Sequence, residues 1–346
     1  MKTEPQNFFD YDLDDLEQLL ESWGEPTYRA AQVWDAVYKQ LKFNPELISN
    51  IPKPLRSRLD EFFNWKSLHP EINLSSSDGQ TTKTLFRLVD NNAIETVLMR
   101  YQKRRTLCIS SQAGCALGCV FCATGQMGLI RNLTSGEIIQ QVLEFERSLR
   151  ENGDRLTNIV VMGMGEPLHN YTQTLVAIDR LNHPDGLKFG ARRFTISTVG
   201  LIPQMLRLAK EKPQINLAVS LHAAVDDLRR SMLPINLKYP LSDLMDACRE
   251  YISITHRRIT FEWALINGIN DSTLQAQQLA KLINGMLCHV NIIPLNPTAG
   301  YQGSATSSQK AQQFKEQLER SGIPCTIRVR RGIDIHAGCG QLETKS

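Results

Sequence analysis

Long apolar runs are missing from this sequence: none approaches the ~18 consecutive apolar residues that a membrane-spanning helix requires. The N-terminus, MKTEPQNFFDYDLDD, is acidic and lacks the apolar stretch of a secretory signal peptide. We therefore expect no membrane partner and a cytoplasmic location, where structural disulfides are uncommon. The eight cysteines are then expected to serve ligation and catalysis.

A second close pair of cysteines, such as a zinc ribbon contains, is also absent. Three cysteines alone are closely spaced: Cys115, Cys119 and Cys122, in the run GCALGCVFCATG. A structural zinc site normally takes four ligands from paired short motifs. Three thiolates on one loop instead suit a 4Fe-4S cluster with one iron left open for a substrate or cofactor. This spacing resembles the fingerprint of the radical S-adenosylmethionine (SAM) enzymes.

The overall charge is small but unevenly distributed. Of the 346 residues, 42% are hydrophobic and 22% charged, which is ordinary for a globular protein of one large or two smaller domains. Residues 1–25 hold eight acidic residues against Lys2, which leaves 38 basic and 28 acidic residues, an excess of ten, in the rest. The excess permits a polyanionic partner, although many enzymes with no such partner are equally basic.

Hydrophobic periodicity divides the chain into three parts. Residues ~10–63 repeat apolar residues at helical spacing, with a break at Gly24 and Pro26, and predict a helical domain over 1–66. This domain is either a substrate-docking unit or a stabilising cap. Residues 67–105 alternate in polarity around a turn at 90–92, which predicts a β-hairpin linker.

Strand-like and helix-like runs alternate over the remaining residues, 106–346. Strands are predicted at 106–110, 158–163, 193–199, 215–222, 257–266 and 289–295, with a further one at 325–330. This alternation predicts an α/β fold with a parallel sheet, and about six βα units suit a partial (β/α)6 barrel. The cysteine loop follows the first of these strands, at the end where parallel barrels carry their functional loops.

Several polar residues follow the predicted strands. Met162-Gly-Met-Gly-Glu-Pro167 comes directly after one of them, and its glycines permit a close backbone approach to a ligand. Glu166 there could hold the amino group of SAM, or the motif could be a tight turn. Ser197, Ser220, His222 and Asn296 occupy comparable strand ends. Each could line a ligand site, or could cap a helix or form a plain turn.

The other five cysteines differ in their surroundings. Cys248 lies in a helical run and Cys288 and Cys325 lie at strand starts, so these three are predicted to pack as small hydrophobic residues. Cys108 lies on the first strand of the 106–346 region, where core packing is the simplest reading. Cys339 stands between glycines in His336-Ala-Gly-Cys-Gly, in a predicted accessible loop. A thiol in such a loop is a candidate nucleophile.

These motifs together resemble the RlmN/Cfr class of radical SAM RNA methyltransferases. The resemblance rests on CISSQAGCALGCVFC, GMGEPL, RRFTISTVG, SLHA, MLPIN and GIDIHAGCGQL, and on GEPTYRAAQVW in the helical domain. It spans nearly the whole chain in order and spacing. It implies a radical SAM catalytic domain over 106–346, with two SAM molecules used per turnover and 23S rRNA and tRNA as substrates.

The same resemblance assigns roles to individual residues. It implies that Cys339 takes a methyl group from one SAM and that a radical from a second SAM, cleaved at the cluster, activates this methyl to join adenine. Glu95 then accepts the ring proton, and Cys108 attacks Cys339 to form a transient disulfide and release the product. The expected SAM-binding residues are Gly165, Glu166, Ser197, Ser220, Leu221, His222 and Asn296.

Alternatives remain within and outside this class. RlmN-type enzymes methylate carbon 2 of adenine 2503 in 23S rRNA and adenine 37 of tRNAs, whereas Cfr-type enzymes methylate carbon 8 of adenine 2503 and confer antibiotic resistance. Pro167 favours the RlmN type. Another radical SAM enzyme would not need Cys339, and a non-enzymatic RNA-binding protein with a metal centre would not cleave SAM. A flavodoxin-like electron donor and a monomeric state are expected.

Arginines near the C-terminus are the other expected RNA contacts. Arg328, Arg330 and Arg331 form a basic stripe shortly before Cys339. Together with the helical domain, they are candidates for binding the RNA backbone. The alternative is a solvated edge strand.

Overall fold

The computed structural model describes residues 5–344. Three helices and a two-stranded parallel ribbon make up the N-terminal part, as the helical periodicity predicts: β1 (Gln6–Asn7), α1 (Leu13–Ser22), α2 (Tyr28–Tyr38), α3 (Lys53–Phe62) and β2 (Phe63–Asn64). Asp12 caps α1 through a capping box with Asp15. Gly24 then reverses the chain at a φ of +82°, which an L side chain rarely adopts.

Three antiparallel strands follow: β3 (Leu68–Ser75), β4 (Thr81–Leu88) and β5 (Ala93–Arg100). The predicted hairpin is present as β4 and β5, and its turn places Asn91 at a φ of +64°. The sequence analysis missed β3, whose side chains after Leu68 are exposed and show little alternation. The prediction of a linker was also too simple, because these three strands extend the main sheet.

The remaining elements alternate strands with helices. In chain order they are β6 (Arg105–Ile109), β7 (Gln112–Gly114), α4 (Ala123–Gln126), β8 (Leu129–Asn132), α5 (Ser135–Glu151), β9 (Asn158–Val161), α6 (Tyr171–Asn182), β10 (Phe194–Thr198), α7 (Ile202–Glu211), β11 (Asn216–Ser220), α8 (Asp226–Met232), α9 (Leu241–Thr255), β12 (Ile259–Leu265), α10 (Thr273–Leu282), β13 (Cys288–Pro294), α11 (Ser308–Arg320) and β14 (Cys325–Ile327). Short 3₁₀ helices cover Phe8–Asp10, Pro45–Leu47, Ala191–Arg193 and Pro234–Leu237.

One ten-stranded sheet organises the molecule, in the order β14-β13-β12-β11-β10-β9-β6-β5-β4-β3. Its seven strands from β14 to β6 are parallel, and the last three are antiparallel. The edge strands β14 and β3 do not pair with each other, so the sheet is open, as a partial barrel requires. All predicted parallel strands are present, which brings their carboxyl ends to one edge.

The N-terminal helices share a core with the main sheet. Phe8 stacks on Trp65, and both belong to the large apolar cluster that also contains the sheet residues. The carboxylate of Asp10 accepts a hydrogen bond of 2.8 Å from the backbone N–H of Gly136, in the first turn of α5. A Cβ on Gly136 would lie 2.7 Å from the backbone of Phe9, so a glycine is required at this contact.

No helix among residues 5–344 combines the length and the apolar character needed to cross a bilayer. Cys248, Cys288 and Cys325 are buried, as predicted for packing residues. Thr134 and Glu137 form a capping box at the start of α5.

Candidate active site

The three closely spaced cysteines line one cavity at the carboxyl edge of the parallel strands. This first cavity has a volume of about 960 Å³, and Cys115, Cys119 and Cys122 all contribute to its wall. The Cys115 N–H donates to the carbonyl of Gly128 over 2.8 Å. Gly114 must be a glycine, because its φ is +73° and a Cβ would lie 2.0 Å from that carbonyl oxygen.

The loop packs against the C-terminal end of α8. The N–H of Val120 donates to the carbonyl of Met232 over 3.1 Å, and Cys119 and Phe121 share an apolar cluster with Met232. Burial raises the pKa of Cys115 to about 12 and holds the pKa values of Cys119 and Cys122 above their usual range. A strongly positive ligand is therefore needed to keep these sulfurs ionised.

The glycine motif after β9 forms another part of the wall. Gly163 and Gly165 fit directly against the Ile109–Gln112 segment, and a Cβ on Gly165 would lie 2.5 Å from the Gln112 side chain. Gly165 also has a φ of +99°. Close backbone packing thus explains both glycines without a ligand, although both line the first cavity.

Glu166 is buried in this wall, with its two oxygens already engaged. One oxygen accepts the N–H of Leu168 and the other the N–H of Val199, both over 3.0 Å. Burial raises its pKa to about 7. A carboxylate oxygen has a second lone pair, so Glu166 can still accept a hydrogen bond from a ligand.

Most predicted strand-end residues reach the first cavity. Ser197, Ser220, His222 and Asn296 all line it. Leu221 does not: its side chain is fully buried in the apolar core. The structure therefore brings six of the seven expected SAM-binding residues together and separates the side chain of Leu221 from them.

His222 enters the cavity as a neutral ring. Its Nδ1 accepts the N–H of Ala264 over 2.9 Å, and burial lowers its pKa to about 3. Its φ of +60° turns the chain sharply after β11. Phe121 of the cysteine loop meets the ring edge-on, with ring centroids 5.0 Å apart.

Arg229 holds these strand ends in place, and the sequence analysis missed it. This arginine is completely buried, and its guanidinium donates to the carbonyls of Val199, Ser220 and Leu221 and to Asn236. Burial lowers its pKa to about 10, while the nearby Cys119 opposes this change. Arg229 stands next to Arg230 in the run DDLRRSM, and nothing in that run indicates that one of the two arginines is buried.

Cys108 and Cys339 lie together in a second cavity, of about 730 Å³. Cys339 also lines the first cavity, so it stands on the wall between the two. Burial, together with the nearby Cys339, raises the pKa of Cys108 to about 12. The 230 residues between them in the sequence give no hint of this proximity.

Glu95 occupies a third cavity, of about 590 Å³, with Lys83, His336 and Glu343. Its side chain is 3% exposed and pairs with Lys83. Without the family resemblance, a carboxylate on this strand would be expected at the surface, and the burial of Glu95 shows that this expectation is wrong. The structure does not place Glu95 in a cavity with Cys339.

Glu262 is a further acidic residue in the first cavity that the sequence analysis did not single out. Burial raises its pKa to about 7, and it accepts a hydrogen bond of 2.7 Å from Asn291. A lone carboxylate inside the apolar strand run Ile-Thr-Phe-Glu-Trp-Ala-Leu was the available signal. A buried carboxylate of this kind marks a functional cavity.

The donor set around the first cavity fits an iron–sulfur cluster and a polar cofactor. In the described chain, no three His, Cys, Asp or Glu side chains are arranged to hold a single metal ion. Three thiols on one loop instead match cluster ligation with an open iron. The buried Oδ1 of Asn296 has no protein partner, and its Nδ2 donates to the carbonyl of Cys339. The Oδ1 atom of Asn296 can therefore accept a hydrogen bond from a ligand in the cavity.

Comparison with protein families supports this assignment. Residues 109–279 match the model of the radical SAM superfamily. Residues 6–64 match the N-terminal domain of the ribosomal RNA large subunit methyltransferases.

Curated relatives match over nearly the full length. The chain is 48% identical to the dual-specificity RNA methyltransferase RlmN 1 of Myxococcus xanthus, over 97% of this chain and 94% of that protein. It is 43% identical to a probable dual-specificity RNA methyltransferase RlmN of Bacillus anthracis, over 100% and 95% of the two chains. A solved radical SAM methyltransferase from Sphaerobacter thermophilus superposes with a TM-score of 0.96 at 49% identity, covering 99% of this chain and 100% of that one.

Proposed function

The chain belongs to the RlmN family of radical SAM methyltransferases, and we propose that it methylates carbon 2 of adenine 2503 in 23S rRNA and of adenine 37 in tRNAs. Its cofactors are a 4Fe-4S cluster and SAM, as in the superfamily. The observation that carries the proposal is the position of Cys339. This thiol lies between the cavity of the three-cysteine loop and the cavity of Cys108.

Cys115, Cys119 and Cys122 would hold the cluster, and Gly165, Glu166, Ser197, Ser220, His222 and Asn296 would surround SAM. When bound, the cluster and SAM supply one-electron cleavage to an adenosyl radical. The apolar wall formed by Phe121 and Leu295 keeps water from this radical.

Cys339 carries the methyl group in this proposal. Its sulfur would take the methyl group of one SAM molecule, and S-adenosylhomocysteine would leave. The methyl carbon would then give one hydrogen atom to the adenosyl radical, which leaves as 5′-deoxyadenosine, and bond to the adenine ring. The electron that the ring loses would return to the cluster. Glu95 accepts the ring proton. Because Glu95 lines the third cavity and Cys339 lines the second, this transfer requires the part of the chain that separates these two cavities to move. Cys108 then attacks the sulfur of Cys339, so a disulfide forms as the methylated base leaves.

The RNA would bind at the second cavity, whose rim includes Arg330. The helical N-terminal domain is the second proposed RNA contact. Ribosomal RNA as a substrate places the enzyme in the cytoplasm, and cluster reduction calls for an electron donor such as a flavodoxin. We propose that the enzyme acts as a monomer.

One assay tests the proposal. The protein is reconstituted anaerobically with iron and sulfide, supplied with SAM and dithionite, and incubated with a 23S rRNA fragment. Mass spectrometry of nuclease fragments is expected to show 2-methyladenine for the wild type and for the packing variant Cys248→Ala, but none for Cys339→Ala. An 8-methyl product would favour the Cfr type, and methylation by Cys339→Ala would overturn the two-cysteine route.

A further inference from the structure

Arg328 lies beside the sulfur of Cys339, in the wall of the second cavity. One guanidinium nitrogen donates to Cys339 Sγ over 3.4 Å, and another lies 3.7 Å from Met99 Sδ. Arg330 is exposed, and Arg331 pairs with Asp78 and covers the ring of Tyr101. The three arginines of the predicted stripe therefore have three different surroundings, and Arg328 is the one beside the reactive sulfur.

The charges around Arg328 are unusual for a partly buried arginine. No carboxylate in the described part of the chain lies within 4.0 Å of its guanidinium, which would form an ion pair. The strongest electrostatic partner is Cys339, followed by Glu262, and Cys108 also contributes. A guanidinium remains charged in proteins. Its hydrogen-bond acceptor in place of a carboxylate is therefore a cysteine sulfur on the wall between two cavities.

We propose that Arg328 is a catalytic residue, whose guanidinium donates a hydrogen bond to the Cys339 sulfur and holds it as the methyl acceptor. A charge-assisted donor stabilises a sulfur that carries negative charge and restricts its direction. The same guanidinium faces the cavity of Cys108, so it also supports the sulfur that later attacks Cys339. This inference rests on the proposed function, in which Cys339 carries the methyl group.

Alkylation of Cys339 by iodoacetamide tests this contact without RNA or SAM. In that reaction the sulfur forms a bond to the acetamide carbon and iodide leaves. The cluster-loaded protein is treated anaerobically, and peptide mass spectrometry follows Cys339 separately from the other cysteines. Arg328→Gln is expected to slow alkylation of Cys339 about tenfold, because a charged hydrogen bond is lost.

Two further variants separate chemistry from packing. Arg328→Lys keeps a cationic donor and is expected to alkylate within about threefold of the wild-type rate. Arg320→Gln removes an exposed arginine of α11 that lines neither the first nor the second cavity, and its alkylation rate is expected to be unchanged. Circular dichroism and thermal unfolding verify that each variant is folded.

If Arg328→Gln perturbs the fold, exogenous guanidinium added to Arg328→Ala provides a second measurement. Faster alkylation of Cys339 with guanidinium than with the same concentration of sodium chloride would support the inference. Wild-type alkylation rates in Arg328→Gln, or equal losses in the Gln and Lys variants, would overturn it. A loss of RNA methylation activity does not affect this assay, so failure of the proposed function is recognised separately.

Discussion

Lys83 and Glu95 form a buried ion pair across two neighbouring strands, with Lys83 Nζ 2.7 Å from a carboxylate oxygen of Glu95. The same ammonium donates to the carbonyl of His336 over 3.2 Å. The second oxygen of Glu95 accepts the N–H of Glu343 over 3.1 Å. The segment from His336 to Glu343, which contains Cys339, is therefore hydrogen-bonded to the antiparallel strands through Lys83 and through Glu95, the proposed proton acceptor.

Replacing Lys83 by Met is expected to shift the pH dependence of RNA methylation. Burial raises the pKa of Glu95, and Lys83 counteracts this effect. Because Glu95 must be ionised to accept a proton, loss of Lys83 moves the acidic limb of the rate profile to higher pH, by about one unit. The measurement is the initial methylation rate across pH.

The control for this prediction is Arg87→Gln, which breaks an exposed ion pair on the same strand. Its pH profile should match the wild type. Formation of 5′-deoxyadenosine without RNA should be equal in all three proteins. An unshifted profile in Lys83→Met would show that Glu95 is not the proton acceptor or that Lys83 does not tune it.

Glu262→Gln is expected to stabilise the protein at neutral and alkaline pH. The folded pKa of Glu262 is raised from 4.5 to about 7 by burial, so the folded state binds a proton that the unfolded state releases in this range. The contribution of Glu262 to the free energy of unfolding is fully present below about pH 4.5. It falls by about 3 kcal/mol as pH rises through about 7.

Urea denaturation checks this prediction. At about pH 5 the variant and the wild type should differ little, and at about pH 8 the variant should be more stable. Asn291 can still donate to the amide oxygen of the glutamine. A stability difference that does not depend on pH would contradict the assignment of a raised pKa to Glu262.

Cys108→Ala is expected to trap RNA on the protein. Without the attacking thiol, the bond between Cys339 and the base has no route to cleavage, so a covalent protein–RNA adduct accumulates. Denaturing gels before and after ribonuclease treatment would show it, and mass spectrometry would locate it on Cys339. Cys248→Ala, which alters a buried cysteine of α9, should turn over without an adduct. Normal turnover by Cys108→Ala would refute its role.

Gly136→Ala is expected to lower thermal stability, although alanine normally favours a helix by about 1 kcal/mol. The added Cβ would lie 2.6 Å from the Asn7 amide and 2.7 Å from the Phe9 backbone. We expect a net loss of about 1–3 kcal/mol from this overpacking. Ser148→Ala, at a partly exposed position of α5, should not destabilise. A rise in unfolding temperature for Gly136→Ala would contradict the described docking of the N-terminal residues.

Much of the fold could be predicted, because parallel strands are buried on both faces and appear as short apolar runs. The strand β3 was missed because its side chains are largely exposed and carry no alternating pattern. The cysteine loop was identified because its three ligands are adjacent in the chain. Local spacing therefore sufficed for that part of the site.

The rest of the site depends on contacts that sequence spacing does not encode. Lys83 and Glu95 meet through strand register, and Arg328 reaches Cys339 because the chain turns inward after β14. Arg328 was predicted to contact RNA on the basis of charge alone, a pattern that does not distinguish an outward from an inward side chain. Cys108 and Cys339 became a pair only through a family resemblance; in the structure Cys108 lies on β6, Cys339 lies in the loop after β14, and both line the second cavity.

Cys339 borders both the first and the second cavity. Under the proposed function, a sulfur in this position can receive its methyl group from one side and deliver it on the other. The methyl donor and the nucleic acid then need not compete for one entrance, and Cys339 can be methylated before any RNA arrives. The fraction of enzyme in the cell that carries a methyl group on Cys339 would then follow the supply of SAM. The rate at which this methyl group is transferred would follow the supply of unmodified RNA.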